Sequence, residues 1–236
     1  MEKSTIRKTC LLFIALFSSS LLFAQTSKNV SVKDFTEIGV SSGIDLYLTQ
    51  GSTEQVRLVG DKDLVESAVV ERTGNGIRIK YKDGFRWCNL FNNKSVKAYV
   101  TYKTLTSLSA SGGSDVYTQN TLKTNKLTLH ASGGSDLKMD IACQDIEINS
   151  SGGSDVNLKG TASNMALHTS GGSDVNAFNF KVDYAKVSAS GGSDAYVHVA
   201  KALEANASGG SDVHYKGTAS YRKTSDSRSG SVTKVD

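Results

Sequence analysis

The pentapeptide Ser-Gly-Gly-Ser-Asp occurs six times, and no other feature constrains the fold of this chain as strongly. Successive copies begin 21, 19, 19, 20 and 18 residues apart, so the period is close to twenty. A regular period of this length is typical of solenoids, in which each repeat packs only against its neighbours. The copies are Ser111–Asp115, Ser132–Asp136, Ser151–Asp155, Ser170–Asp174, Ser190–Asp194 and Ser208–Asp212.

The residues around each copy alternate between apolar and polar, as they do in a strand with one buried face. Around the second copy, Leu129, Ala131 and Leu137 alternate with His130 and Lys138. If this alternation continues across the motif, the first glycine and the second serine point inward, while the second glycine and the aspartate point outward.

Repeats of about twenty residues cannot bury an apolar stripe alone, so we expect like strands to stack in parallel ~4.8 Å apart. The chain has 22 glycines and no proline, which suits backbone amides that are committed to hydrogen-bonded ladders. The sequence therefore predicts an all-β fold, a right-handed parallel β-helix with coils of about twenty residues. Antiparallel hairpins are the rival geometry, but identical corners at every turn favour the β-helix.

The spacing varies only between each aspartate and the next strand, so we expect insertions at that corner of the coil. A looser third inward position recurs six to eight residues after each aspartate. Its members are Leu122, Ala142, Ala162, Val182, Ala200 and Ala219.

Residues 25–105 are predicted to open the stack. A degenerate motif copy, 41–45, is flanked by Ile38, Val40, Leu46 and Leu48 at the inward positions, which predicts one further coil.

The rest of this opening part departs from the repeat. We predict a short capped helix over 61–69, a turn at 74–76, a strand over 77–81 and a loop over 83–93. Alternation over 96–102 then leads into the repeat coils, which occupy 106–220. Residues 221–236 are polar and are predicted to form a cap or tail that protects the last ladder.

The first 24 residues have the order of a secretory signal peptide. Lys3, Arg7 and Lys8 precede an apolar run over 11–17, and we place cleavage after Ala24. No second apolar segment follows, so we expect no transmembrane segment in the mature chain. We expect the protein in the periplasm, on the outer cell surface or outside the cell. Export permits a disulfide between Cys88 and Cys143, but we expect two free thiols.

The run 35–51, with the sequence Phe-Thr-Glu-Ile and then Gly-Ile-Asp-Leu-Tyr-Leu-Thr-Gln-Gly, resembles the opening of the putative auto-transporter adhesin head (GIN) domain family. The Ser-Gly-Gly-Ser-Asp-Val coils resemble the body of that family, and the resemblance covers roughly 30–220. It implies a right-handed parallel β-helix in an exported bacterial protein with a role in adhesion. It supplies no catalytic residues.

The repeated aspartates would form a column on the outer face of the stack, where like charges ~5 Å apart repel by about 1 kcal/mol even in water. We expect solvent and hydrogen bonds at the glycine corner to relieve this repulsion. Bound Ca²⁺ is the alternative, and its candidate ligands are Asp115, Asp136, Asp155, Asp174, Asp194 and Asp212.

A carbohydrate-active enzyme is a third hypothesis, because carboxylates at such a spacing suit retaining glycoside hydrolysis. An active site, however, should differ from its neighbours, and here every coil offers the same aspartate. We therefore expect no enzymatic activity.

The histidines predict no metal site, because His130 and His168 lie two coils apart with Asn149 between them. Phe85, Trp87 and Phe91 lie in the segment that departs from the repeat. They either cover the open end of the core or contact a partner.

A formal net charge of +4, without a basic cluster, argues against nucleic acid as a partner. The sequence thus predicts a non-enzymatic, exported, adhesin-like module without a required cofactor. Its partner is an unnamed protein or glycan, and self-association into a homo-oligomer is compatible with the pattern.

Overall fold

The computed structural model describes residues 25–84, 95–223 and 229–235, which form one continuous sheet and one short helix. The helix is α1, Lys62–Ser67. The strands are β1 Thr26–Val30, β2 Glu37–Ser41, β3 Asp45–Gln50, β4 Gln55–Gly60, β5 Ala68–Thr73, β6 Gly76–Tyr81, β7 Lys97–Tyr102, β8 Ser107–Ser111, β9 Val116–Thr118, β10 Leu122–Ala131, β11 Asp136–Ser150, β12 Asp155–Thr169, β13 Asp174–Ala189, β14 Asp194–Ala207, β15 Asp212–Lys216, β16 Ser220–Lys223 and β17 Ser231–Lys234.

The repeat coils stack in parallel and in register, which confirms the predicted β-solenoid and excludes separate hairpins there. Leu129, Ile148 and Leu167 lie on neighbouring strands of one ladder, and each is fully buried. Val156 and Val175 occupy a second buried ladder on the other side of the glycine corner. Side chains on these ladders contact their equivalents one coil away, so the core continues along the axis of the stack.

The glycine corner corrects the predicted alternation. Both glycines of every motif copy have positive φ angles, between 61° and 78°, and both are exposed. The first glycine was expected to point inward, but two successive left-handed residues turn the chain and interrupt the period of two. The alternation resumes at the second serine.

The second serine of each motif copy is completely buried, although it is polar. In the fourth copy the Ser173 hydroxyl donates to the carbonyl oxygen of Ser170 across the turn, at 2.7 Å. The same contact recurs as Ser154 to Ser151 and is repeated in the last two copies. A buried hydroxyl needs such a partner, so the motif combines the turn with its own acceptor. The six buried serines are Ser114, Ser135, Ser154, Ser173, Ser193 and Ser211.

The predicted extra coil before the repeats is present. Strands β2 and β3 lie parallel to β8 and β9, and Ile38 and Leu46 are buried in register with Leu108 and Val116. The amide of Gly43 donates to the carbonyl oxygen of Gly112, at 2.9 Å.

The remaining elements of the opening part pair antiparallel with one another, while β6 and β7 lie parallel to β2 and β3 of this coil. Strand β4 is antiparallel to β1 and β7, while β5 and β6 form a hairpin around the predicted turn at 74–76. Helix α1 begins after Asp61, whose carboxylate accepts from the amide of Asp63, and it ends at Ser67. It is thus shorter than the predicted span, because Ala68 already has an extended backbone and begins β5.

The corner after each aspartate carries the insertions, as predicted. The register between β12 and β13 shifts between Asn157 and Lys159, and further shifts occur between β13 and β14. Leu122 and Val182 fill the expected third inward position. Ala142 does not, because Ile141 is the residue that lies in register with Leu122 and is buried.

The segment 221–236, predicted as a polar cap or tail, contributes further strand pairings where it is described. Strand β16 lies parallel to β14, and β17 lies parallel to β15. Val232 lies in register with Val213 and packs against the core. The hydrogen-bonded ladder therefore continues past the last motif copy.

Two substitutions in the third motif copy test the close approach of neighbouring corners. A Cβ atom at Gly152 would lie 3.1 Å from the backbone nitrogen of Gly133, whereas one at Gly153 would meet no atom within 4 Å. Both positions have positive φ angles, so each alanine costs about 1 kcal/mol in backbone strain. We expect Gly152→Ala to lower the free energy of unfolding more than Gly153→Ala. Urea denaturation measures the difference, and equal losses would show that the corners do not touch.

Candidate functional site

The outward side chains of the coils are arranged in ladders, and the predicted aspartate column is one of them. Asp136, Asp155 and Asp174 are register partners on successive strands, and Asp194 pairs with Asp212. Asp45, from the extra coil, extends the column at its first end beside Asp115. The full aspartate column consists of Asp45, Asp115, Asp136, Asp155, Asp174, Asp194 and Asp212.

Hydrogen bonds between coils support the column, whereas the sequence predicted local hydrogen bonds at the glycine corner. The amide of Asp194 donates to the Asp174 carboxylate at 3.2 Å, and the amide of Asp212 donates to Asp194 at 3.1 Å. The last carboxylate accepts from both the amide and the hydroxyl of Ser231. Each of these carboxylates thus stabilises the strand that follows it.

The first end of the column is more buried, and its charges are correspondingly harder to accommodate. Burial raises the pKa of Asp45, and the neighbouring charge of Asp115 raises it further. A hydrogen bond from the Ser95 hydroxyl, at 3.3 Å, and the charge of Lys97 act in the opposite direction. The pKa of Asp136 is raised by burial and by the carboxylates on both sides of it.

An outward ladder of tyrosines runs beside the aspartate column, two residues further along each strand. Tyr47 stacks on Tyr99 with ring centroids 5.0 Å apart and on Tyr117 with centroids 5.2 Å apart. Arg57 lies over the Tyr99 ring, 4.7 Å from its centroid. The Tyr117 hydroxyl donates to the Asp115 carboxylate at 3.2 Å, which connects the two ladders.

The same ladder continues across the repeat coils with polar residues and ends in a second aromatic group. Tyr196 stacks on His214 at 5.0 Å, and Phe178 meets the edge of Tyr196 at 5.4 Å. We call the run of register partners from Arg57 to His214 the aromatic ladder, and its members are Arg57, Tyr99, Tyr47, Tyr117, Lys138, Asn157, Asn176, Tyr196 and His214.

The alternation of apolar and polar residues predicted that Lys138 points outward, but sequence reasoning missed the tyrosines of the aromatic ladder. The signal was present for three of them, because Tyr47, Tyr117 and Tyr196 each stand two residues after an aspartate of the column. Tyr99 could not be found this way, since nothing in the sequence shows that β7 lies beside β3.

The histidines lie as predicted. His130 and His168 occupy one outward ladder with Asn149 between them. His198 lies elsewhere, and burial, together with the charges of Lys216 and Lys181, lowers its pKa. Over the described residues, no three His, Cys, Asp or Glu side chains lie close enough together to hold a metal ion.

Two further sequence predictions concern segments near the opening coils. Phe85, Trp87 and Phe91, the predicted lid or contact residues, lie outside the described residues, as do Cys88 and the signal segment 1–24.

Cys143 is a free thiol, and burial and the charge of Asp145 raise its pKa to about 11. Helix α1, six residues long, is the one helix of the described chain and does not reach the length of a membrane span.

Removing the charge of Asp45 should show how much the repulsion between neighbouring carboxylates of the aspartate column destabilises the folded protein. Because folding raises the pKa of this carboxyl, its ionised form opposes folding, and its protonated form does not. We expect Asp45→Asn to stabilise the protein near pH 7, by of order 1 kcal/mol or less. The gain should vanish as the pH falls below about 4, where the wild-type carboxyl is also neutral. Thermal melts across this range measure it.

The exposed Glu66→Gln substitution on α1 is the control, because it removes one carboxylate far from the column. A gain that persists at acid pH, or one that Glu66→Gln reproduces, would contradict the assignment of the repulsion to Asp45 and Asp115.

Solved bacterial structures share this fold. A putative adhesin from Bacteroides fragilis NCTC 9343 matches with a TM-score of 0.79 at 24% identity, over 90% of this chain and 98% of that one. A putative lipid binding protein from Parabacteroides distasonis ATCC 8503 matches with a TM-score of 0.70 at 20% identity, over 91% and 98%. A putative adhesin from Parabacteroides merdae ATCC 43184 gives 0.66 at 18% identity, over 91% and 98%. At these identities the likeness establishes the fold alone.

The sequence itself matches the model of one protein family over residues 34–219, which includes the extra coil and all six motif copies. No curated protein matches the chain. The match agrees with the resemblance seen in 35–51 and in the repeated motif. The chain therefore belongs to the family described as the putative auto-transporter adhesin, head GIN domain.

Proposed function

We propose that this protein is an exported, non-enzymatic interaction module that binds a protein or glycan partner through the outward ladders of its coils. The observation that carries the proposal is the aromatic ladder, which presents stacked tyrosines on a wall whose backbone is already fully engaged in sheet pairing. Tyr47, Tyr99 and Tyr117 are only half-buried, and because their faces stack on one another and under Arg57, their ring edges are available at the surface. Membership of an adhesin head family supports the same role.

The rigidity of the wall favours recognition without rearrangement. Neighbouring coils are joined by continuous parallel ladders, and thirteen register pairs join β11 to β12. Side chains on such a surface lose little further conformational freedom when a partner binds, and this lowers the entropic cost of association. Stacked aromatic rings supply large contact areas at low entropic cost.

Export and binding can be tested together. We expect the full chain to be processed after Ala24 and recovered outside the cytoplasm, whereas a variant lacking residues 2–24 should remain inside. Cell fractionation and the mass of the mature protein measure this. Protease treatment of intact cells then separates a periplasmic location from the outer surface.

Purified mature protein, residues 25–236, should bind members of a panel of matrix proteins and glycans immobilised on a surface. Tyr47→Ala should weaken this binding, while His168→Ala, on a different ladder, should leave it unchanged. Unprocessed protein in the cytoplasm, or no binding across the whole panel, would contradict the proposal.

Calcium binding by the aspartate column is the second function raised by the sequence, and the geometry favours a structural role instead. Asp174, Asp194 and Asp212 accept hydrogen bonds from the next strand, and this occupies one carboxylate oxygen of each. We therefore expect the melting temperature to be the same in excess Ca²⁺ and in chelator. A bound ion would add about 2.7 kcal/mol of stability at a concentration one hundred times its Kd. Mg²⁺ is the control for charge screening, and a rise specific to Ca²⁺ would revive the metal hypothesis.

A further inference from the structure

An open groove of about 500 Å³ interrupts the wall that carries the aromatic ladder. Its polar sides are two short ladders of three residues, which run side by side across β11, β12 and β13. The first ladder is the polar part of the aromatic ladder and consists of Lys138, Asn157 and Asn176. The second consists of Asp140, Lys159 and Asn179.

The groove exists because β13 has more residues than β12 at this corner. The register shifts between Asn157 and Lys159, and the extra chain turns outward at Phe178, whose amide donates to the side-chain oxygen of Asn176. An irregularity of this kind bends a strand and redirects its side chains, and such features are frequent next to functional sites. Here it widens the gap between the two polar ladders on β13, where two residues lie between Asn176 and Asn179 but only one lies between Asn157 and Lys159.

The side chains of the groove are mostly uncommitted. Asp140 and Lys159 are register partners of opposite charge, yet they form no ion pair with each other or with another described residue. The side-chain amides of Asn157 and Asn179 likewise have no hydrogen-bond partner within the described chain. The groove therefore offers both hydrogen-bond donors and hydrogen-bond acceptors to a ligand.

Aromatic rings stand at both ends of the groove. Tyr117 precedes Lys138 on the aromatic ladder, and Tyr196 follows Asn176. Four strand spacings separate the two tyrosines, which corresponds to roughly 19 Å along the axis of the stack. A ligand that spans this distance would meet the edge of a tyrosine ring at each end and polar side chains between them.

Charge around the groove is mixed and not strongly positive. Lys138 and Lys159 bring two positive charges, while Asp140 and the adjacent carboxylates of Asp136, Asp155 and Asp174 bring four negative ones. A polyanion would be repelled by the column, so nucleic acids and highly sulfated chains fit poorly. An added peptide strand fits no better, because the backbone groups of this wall are already paired within the sheet.

We propose that this groove binds a neutral, linear oligosaccharide of about four sugar units. Sugar hydroxyls both donate and accept hydrogen bonds, as the asparagine, lysine and aspartate side chains require. The terminal sugar units would contact the edges of Tyr117 and Tyr196, because the ring faces are occupied by Tyr47 and Lys138 and by His214 and Phe178. This inference rests on the proposed function, since it names the class of partner that the exposed wall recognises.

The test is isothermal titration calorimetry of residues 25–236 with neutral oligosaccharides of four to six units, namely the cello-, xylo-, malto- and chito-oligosaccharides. We expect at least one series to bind, with little change between low and high salt, and the sugar to be recovered uncleaved. The double substitution Asn157→Ala/Asn176→Ala should raise its Kd by about tenfold or more, because two hydrogen-bonding amides are lost. Asn149→Ala, an amide removed from a different ladder, should change the Kd less than twofold.

Three results would overturn the inference: no binding to any series, unchanged binding by the double variant, or binding that high salt abolishes. If the double variant does not fold, the side-chain amide signals of Asn157 and Asn176 in wild-type NMR spectra replace it, and they must shift on sugar addition. Failure here remains distinguishable from failure of the proposed function. A wild-type protein that is exported and binds matrix proteins but no oligosaccharide disproves only the groove, and sugar binding by a cytoplasmic protein disproves only the export.

Discussion

The structure depends on one constraint, which is that equivalent residues of successive coils stack on one another. Outside the corner after the aspartate, where the register shifts, the strands of a repeat coil pair in register with their equivalents one coil away, so a side chain has a copy of its own position as neighbour. For Leu129 and Ile148 this arrangement is favourable, because apolar surface is removed from water at every step. The same stacking of equivalent positions applies to polar residues. It brings like charges together, so the residues of each coil determine the electrostatic environment of the next coil.

The aspartate column shows how the chain accommodates the repulsion between stacked like charges. A carboxylate every ~4.8 Å is repulsive, but the geometry that creates the repulsion also places an amide of the next strand beside the carboxylate. Asp174 and Asp194 use that amide. At the buried first end, the column instead relies on side chains, namely Tyr117 and Ser95, of which Ser95 lies outside the repeat.

The repeat made much of the fold predictable, and the limits of prediction follow from the same physics. Period, alternation and the position of insertions are local properties, and they identified the buried ladders and the extra coil. Alternation failed at the first glycine, because two left-handed residues in succession reset the period and only coordinates reveal this. The neighbourhood of Tyr99 was also beyond reach, since β4, β5, β6 and α1 intervene between β3 and β7 in the chain while these two strands lie side by side.

Recognition by such a molecule must come from departures from the repeat. A perfect solenoid presents the same side chain at each step, and a column of identical groups can hold a periodic ligand but cannot fix where it starts or ends. The aromatic ladder breaks this uniformity, because aromatic rings at Tyr117 and Tyr196 enclose a polar interval and the extra residues of β13 open it into a groove. The regular coils thus make the surface rigid. The irregular corner gives the groove its limits and its depth, and it carries the hydrogen-bonding side chains that have no partner within the described chain. Selection for a particular partner would act most directly on the corner after the aspartate, where the spacing of the repeats is free to vary.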